Sequence, residues 1–210
     1  MDDVRDSYDR VAADYVEHVA GELEHKPFDR AYLDRLATEL ADKGPVAELG
    51  CGPGHVGRYL HDRGVDISGL DLSPGMIEEA WRLNPGMQFV VGDMLDLPYA
   101  DGSLAALVAF YSIIHFDSDQ LDQAIREFRR VLRPGGLAAI AFHVGDEILH
   151  REEWWGHPIS FDFHLLNPAN VSRRAIVAGL TVEELLGRDP NPEVEYPSRR
   201  AYMRLRRPAA

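Results

Sequence analysis

The segment Val46-Ala47-Glu48-Leu49-Gly50-Cys51-Gly52-Pro53-Gly54-His55-Val56-Gly57 leaves this chain few choices of fold. An apolar run stops at Gly50, glycine recurs at 52, 54 and 57, and a helix-like stretch resumes from Gly57 to His61. Glycines at such spacing let the backbone turn sharply and pass close beneath a ligand. The helix start that follows offers unpaired N–H groups, so a strand, a tight turn and a helix built around a nucleotide-like ligand are expected.

Gly52-Pro53-Gly54-His55-Val56-Gly57 also satisfies the dinucleotide pattern G-x-G-x-x-G, which alone is weak. The strand runs straight into Gly50 with Glu48 just before the turn, so the string parses better as E-x-G-x-G-x-G. Asp71 closes a second strand, Val65 to Leu70, about twenty residues on, where an acid would hold ribose hydroxyls. A nicotinamide enzyme and an adenosyl-binding enzyme would both want that acid. Later segments separate them. Met87 to Val91 ends a third strand in Gly92-Asp93-Met94, Asp101 to Phe110 supplies a fourth, and Val131-Leu132-Arg133-Pro134-Gly135-Gly136 leads into a fifth, Leu137 to Phe142. Helical stretches fall between them at Gly54 to Asp62, Pro74 to Leu83 and Ser118 to Leu132, and this alternation predicts a parallel sheet covered on both faces.

These motifs, in this order, resemble the class I S-adenosylmethionine (SAM) dependent methyltransferases of the small-molecule type. The resemblance runs from Tyr8-Asp9-Arg10-Val11-Ala12-Ala13-Asp14-Tyr15 to the last strand. It implies an α/β fold, a three-layer Rossmann-like sandwich whose mainly parallel seven-stranded sheet has an antiparallel last strand. It also implies that Gly50, Cys51, Gly52 and Gly54 underlie the methionine part of SAM, with Glu48 supporting the turn. Asp71 would hold the ribose, Gly92, Asp93 and Met94 would bracket adenine, and Leu72 and Met76 would pack on the adenosine. Tyr8 and Tyr15 would lie on a helix over the cofactor, and Tyr111 would face both cofactor and acceptor. The implied reaction moves a methyl group from SAM to oxygen, nitrogen or carbon of a small molecule, leaving S-adenosylhomocysteine. A SAM-binding protein with a non-methyl reaction or a sensing role, and a nicotinamide (NAD) oxidoreductase, are the competing classes.

Methyl transfer from a sulfonium is an in-line displacement that needs alignment and exclusion of water more than a covalent nucleophile. A base is still useful for some acceptors. His115 follows the fourth strand at the carboxyl edge, where ligands bind in open α/β sheets, and His143 lies one step past the fifth. Either is a candidate catalytic base. Residues 143–168 form a long, aromatic-rich connection without a clear period, and Trp154, Trp155, His157, Phe161 and Phe163 could line an apolar acceptor pocket there. His143, His150, His157 and His164 fall seven apart, but Gly145, Gly156 and Pro158 break any continuous helix, so no metal is expected.

The 210 residues suit one domain, with a helical cap over 1–43, a cofactor-binding core over 44–142, the insertion over 143–168, and a helix and two strands over 169–210. No apolar run spans a bilayer and the first residues lack a signal-peptide core, so a cytoplasmic location without membrane partners is expected. A formal charge of −13 disfavours nucleic acid. Arg199, Arg200, Arg204, Arg206 and Arg207 interrupt that acidity and read as a solvated edge strand protected from pairing by its charges.

Overall fold

The computed structural model describes residues 2–209; Met1 and Ala210, the outermost positions of the expected 1–210 domain, lie outside them. The chain opens with α1 (Asp2–Val19), a 3₁₀ turn (Glu22–His25) and α2 (Pro27–Leu40). Alternation follows: β1 (Val46–Leu49), α3 (His55–His61), β2 (Ile67–Asp71), α4 (Pro74–Leu83), β3 (Gln88–Val91), β4 (Leu104–Phe110), α5 (Ser118–Val131) and β5 (Leu132–His143). The remainder is β6 (Ile148–Trp154), β7 (His157–His164), α6 (Pro168–Val177), β8 (Thr181–Arg188) and β9 (Arg200–Arg206). Seven strands form one sheet in the order β3-β2-β1-β4-β5-β9-β8, and β6 and β7 form a separate two-stranded sheet. The last strand, β9, runs antiparallel to β5 and β8, as expected.

Two compact units divide these elements, the first containing the chain up to Asp93 together with His150–Phe161. In it β1 pairs parallel to β2 from Val46↔Ile67, and β2 to β3 from Ser68↔Gln88. Each residue of β1 is buried, Glu48 included, which is why its sequence does not alternate between apolar and exposed polar positions. α2 buries Tyr32, Leu33, Leu36, Ala37 and Leu40, the stripe a 3.6-residue period predicts. Ser73 caps α4 by accepting from the Met76 N–H at 3.0 Å, with Pro74 at the first helical position. α1 docks on this cap: Asp9 accepts from the Ser73 hydroxyl at 2.5 Å and from the Gly75 N–H at 2.8 Å.

The long connection is where the fold departs from expectation, since residues 148–164 make a β-hairpin. Trp155 and Gly156 both have positive φ, 50° and 81°, the pattern of a two-residue turn whose twist matches its strands. Ile159 and Phe161 alternate inward and are buried. The turn lacks the usual Asn-Gly or Asp-Gly signal because a tryptophan occupies its first left-handed position.

The second unit comprises Met94–Leu149 and Asp162–Ala210. β4 is buried along nearly its whole length and pairs parallel with β5. Asp117 and Gln120 form a reciprocal capping box on α5, which buries Leu121, Ala124, Ile125, Phe128 and Val131. The arginine cluster is not an edge. β9 lies between β5 and β8, and Arg200 and Arg204 are 3% and 8% exposed. Acids from neighbouring segments neutralise them: Glu195 lies 3.4 Å from Arg200, and Glu183 lies 3.9 Å from Arg204 while taking two bonds of 2.8 Å from Arg206. Arg207 instead donates to the carbonyls of Arg129, Arg130 and Leu132 at the end of α5, where the helix leaves acceptors unsatisfied.

Candidate functional site

In the first unit the loop after β1 is held by backbone bonds to β2 and within itself. Gly50, Cys51 and Gly54 donate to the carbonyls of Leu70, Leu70 and Cys51 at 2.7, 3.0 and 2.9 Å. Gly50, Gly52 and Gly54 take φ of 66°, 51° and 78°, a left-handed alternation that side-chain-bearing residues resist. Asp71, at the end of β2, closes the loop from the other side. Its Oδ2 accepts from the Gly52 N–H at 2.8 Å and its Oδ1 from the Ser73 N–H at 2.9 Å. Burial raises its pKa, against the pull of those N–H groups.

Glu48 lies beneath the turn, 3% exposed, with Oε2 accepting from the Gly57 N–H at 2.9 Å. Burial pushes its carboxyl up to about 8, with the Asp71 charge acting in the same direction, so it holds a proton at neutral pH. Cys51 is buried and its thiol is raised for the same first reason. Asn84, which the sequence reading missed, braces the turn by donating to the Pro53 carbonyl at 2.8 Å. Leu72 is half-buried, Met76 is buried on α4, and Gly92 donates to the Asp71 carbonyl at 2.8 Å, with Asp93 next in sequence.

Aromatic side chains cover this loop within the same unit. Tyr8 and Tyr15 meet edge to face at 5.9 Å, and a Cβ on Gly52 would sit 3.7 Å from the Tyr15 ring. Phe161 stacks on Tyr8 at 5.2 Å, while Trp154 lies 5.8 Å from Tyr15 and stacks on Trp155 at 4.4 Å. His157 Nε2 reaches Asp14 at 2.5 Å, fastening the hairpin to α1. Burial raises the Tyr8 and Tyr15 hydroxyl pKa values, with the Asp71 charge adding to both. Beside the turn, Glu22 receives Lys26 Nζ at 2.6 Å and lies 3.2 Å from His55 Nε2. The sequence reading passed over this trio, although Glu22 and Lys26 show the four-residue spacing of an ion pair.

Met94, Tyr111, His115, His143 and Phe163 belong to the second unit. Tyr111 has φ +54°, uncommon for a large residue, and its hydroxyl lies 2.8 Å from that of Tyr202, which accepts from Arg188 Nε at 3.0 Å. His143 Nδ1 is 2.7 Å from Ser198 Oγ, and its ring is 5.1 Å from Tyr111. His115 Nδ1 donates to the Asp162 carbonyl at 2.9 Å, which leaves Nε2 as the basic nitrogen, and Phe163 packs 5.0 Å away. Burial lowers the His115 pKa to about 4. Its imidazole is neutral at physiological pH, competent to accept a proton but weakly basic.

A family model described as "Methyltransferase domain" matches residues 46–136. The malonyl-[acyl-carrier protein] O-methyltransferase of Dechloromonas aromatica is 32% identical over 193 residues, covering 87% of this chain and 67% of that protein. The chain is a class I SAM-dependent methyltransferase by family. The like-named protein of Enterobacter lignolyticus is 31% identical over 149 residues, 71% of this methyltransferase chain and 57% of that one. The chain spans about half the length of the first curated relatives it matches. A SAM-dependent methyltransferase structure from Methanosarcina mazei shares the fold, with TM-score 0.73 and 14% identity over 83% of this chain and 98% of that one.

The turn of this methyltransferase fits the adenosyl cofactor of its family on its own geometry. Left-handed Gly52 keeps the space below the Tyr15 ring clear of side chain, and Asp71 is fixed at the loop by two backbone N–H groups. His55 Nδ1 is buried beside the turn and makes no hydrogen bond among the described residues.

Proposed function

We propose that this chain transfers the methyl group of SAM to a small-molecule acceptor. SAM supplies an electrophilic methyl on a sulfonium, so the protein's work is to bind, align and keep out water. The observation that carries the reading is Asp71, held by Gly52 and Ser73 at the end of β2 with Tyr15 over the same glycine. In this reading Gly50, Cys51, Gly52 and Gly54 approach the methionine portion, Asp71 takes the ribose hydroxyls, and Gly92, Asp93 and Met94 bracket adenine. Leu72 and Met76 pack on the adenosine, and Tyr8, Tyr15 and Tyr111 shield the reacting end. Protonated Glu48 keeps the turn in shape and does not contribute charge.

Tyr111, His115, His143, Trp154, Trp155, His157 and Phe163 are assigned to the acceptor, with His115 Nε2 and His143 as the proton-accepting nitrogens. Relatives named for a malonyl-[acyl-carrier protein] acceptor make a carboxyl oxygen the first acceptor atom to test, ahead of nitrogen and carbon. The segments 1–43, 44–142, 143–168 and 169–210 serve as cap, cofactor core, acceptor hairpin and closing strands of one domain. Among the described residues no helix is long and apolar enough to cross a membrane, and we assign the protein to the cytoplasm, without nucleic-acid or membrane partners.

The test is calorimetric titration with SAM, S-adenosylhomocysteine and NAD, followed by an acceptor screen that reads S-adenosylhomocysteine formation. Saturable binding of both adenosyl compounds with turnover on one acceptor is expected. NAD binding alone would overturn the cofactor, and SAM binding without S-adenosylhomocysteine formation on any acceptor would favour a non-methyl or sensing role.

A further inference from the structure

Resting on the reading that the glycine turn takes SAM, we infer that Glu22, Lys26 and His55 form the subsite for the amino-acid end of the cofactor, Lys26 taking its carboxylate and Glu22 its ammonium. The trio is unusual for a pair spaced four apart, since most such pairs lie in solvent. Side-chain exposure is 11% for Lys26, 23% for Glu22 and 14% for His55. Removing two opposite charges from water costs more than their attraction reliably returns, so a mostly buried pair is a poor device for stability alone.

Position supplies the second argument. His55 follows Gly54 directly, and its Nε2 lies 3.2 Å from Glu22 Oε1, so the 3₁₀ turn carrying Glu22 lies against the end of the glycine loop. Tyr15, whose ring covers Gly52, feels the charges of both Glu22 and Asp71. Asp71 thus meets the loop at Gly52 and the Glu22 trio meets it at His55, two separate points for a ligand with a ribose and an amino-acid end.

The chemistry matches as well. The amino-acid end is a zwitterion, a carboxylate and an ammonium on one carbon. Lys26 presents three N–H donors and Glu22 two acceptor oxygens, so each keeps its bond to the other while taking one ligand group. The result is a closed ring of alternating charges with no net charge added, and buried His55 Nδ1 adds a further polar atom beside it. Glu22 is ready for this role. Burial alone would raise its carboxyl, but His55 and Lys26 hold it down at about 2, so it stays ionised.

Three probes separate the parts: S-adenosylhomocysteine, its decarboxylated analogue, and 5′-methylthioadenosine, which lacks the whole amino-acid end. Dissociation constants are measured by calorimetry on wild type, Lys26→Met, Lys26→Arg and Glu22→Gln. Lys26→Met is expected to weaken S-adenosylhomocysteine by on the order of 10- to 100-fold, the range of one lost hydrogen bond to a charged group, and to abolish discrimination against the decarboxylated analogue. Binding of 5′-methylthioadenosine stays within about twofold, which also shows that the variant is folded. Glu22→Gln weakens both amine-bearing compounds alike, and Lys26→Arg retains most of the affinity. Equal losses for all three probes, or none, would overturn the assignment. If wild type binds 5′-methylthioadenosine but neither amine-bearing compound better, the subsite alone fails; if it binds no adenosyl compound, the cofactor reading falls with it.

Discussion

Replacing Glu48 with glutamine should make this protein more stable at neutral pH, although it removes an acid that the fold holds in place. Burial and the neighbouring Asp71 charge set the folded carboxyl at about 8, against 4.5 for an ordinary glutamate. Between those values the folded state binds one proton more than the unfolded state, so stability falls as pH rises through that window. The slope is about 1.4 kcal/mol per pH unit, so by pH 7.5, three units above the ordinary pKa, the wild type has lost about 4 kcal/mol to this residue. Glutamine carries no proton to lose and its Oε1 can still accept the Gly57 N–H that Glu48 holds at 2.9 Å. Its amide places a second N–H in a buried site, which costs about 1 kcal/mol or more if it finds no acceptor. The net expectation at pH 7.5 is a gain of about 2–3 kcal/mol, shrinking to nothing or reversing near pH 5. Urea denaturation of wild type and Glu48→Gln at pH 5, 6.5 and 7.5 reads this as a difference, so titrations common to both proteins cancel. Curves that stay parallel across the range would show that Glu48 is ionised in the fold and that the burial argument is wrong.

Gly57→Ala tests the same contact from the other side. Within a helix alanine is favoured over glycine by about 1 kcal/mol, yet a Cβ at 57 would overlap Glu48 Oε2, so thermal unfolding should instead show a loss of about 1–3 kcal/mol. A more stable Gly57→Ala would mean that the Glu48 carboxyl moves freely. Once an acceptor is known, the pH dependence of kcat/KM should show no His115 inflection between pH 6 and 8, because burial lowers that imidazole to about 4 and it is neutral throughout. An inflection near 6.5 that vanishes in His115→Gln would place its pKa back at the ordinary value. Trp154→Ala should raise KM for the acceptor by about tenfold or more and leave S-adenosylhomocysteine binding within about twofold. Equal loss of both would make the Trp154 and Tyr15 contact, at 5.8 Å, part of the cofactor site instead.

Most of the sheet was legible because its strands carry their signals locally. β4 is an unbroken apolar run and β1 is interrupted only by Glu48, the glycine turn lies between an acid and a helix, and Ser73-Pro74 and Asp117 through Gln120 announce their helices by caps. What escaped depends on partners far along the chain. The hairpin over residues 148–164 has its buried alternation in Ile159 and Phe161, but its turn uses Trp155 in a left-handed conformation that no short motif predicts. The arginines of β9 look like a solvated edge because charge is read as exposure. They are instead interior to the sheet, made tolerable by Glu183 and Glu195, residues that nothing in the local pattern ties to them. The candidate site divides in the same way. Glycines and acids that shape a backbone turn are written within a few residues of one another. Recognition of the ligand's far end falls to Glu22, Lys26 and His55, brought together by packing the 3₁₀ turn against a loop some thirty residues later. A pattern read along the chain finds the cradle, because the cradle is local; it misses charges whose meaning depends on which of them are buried together.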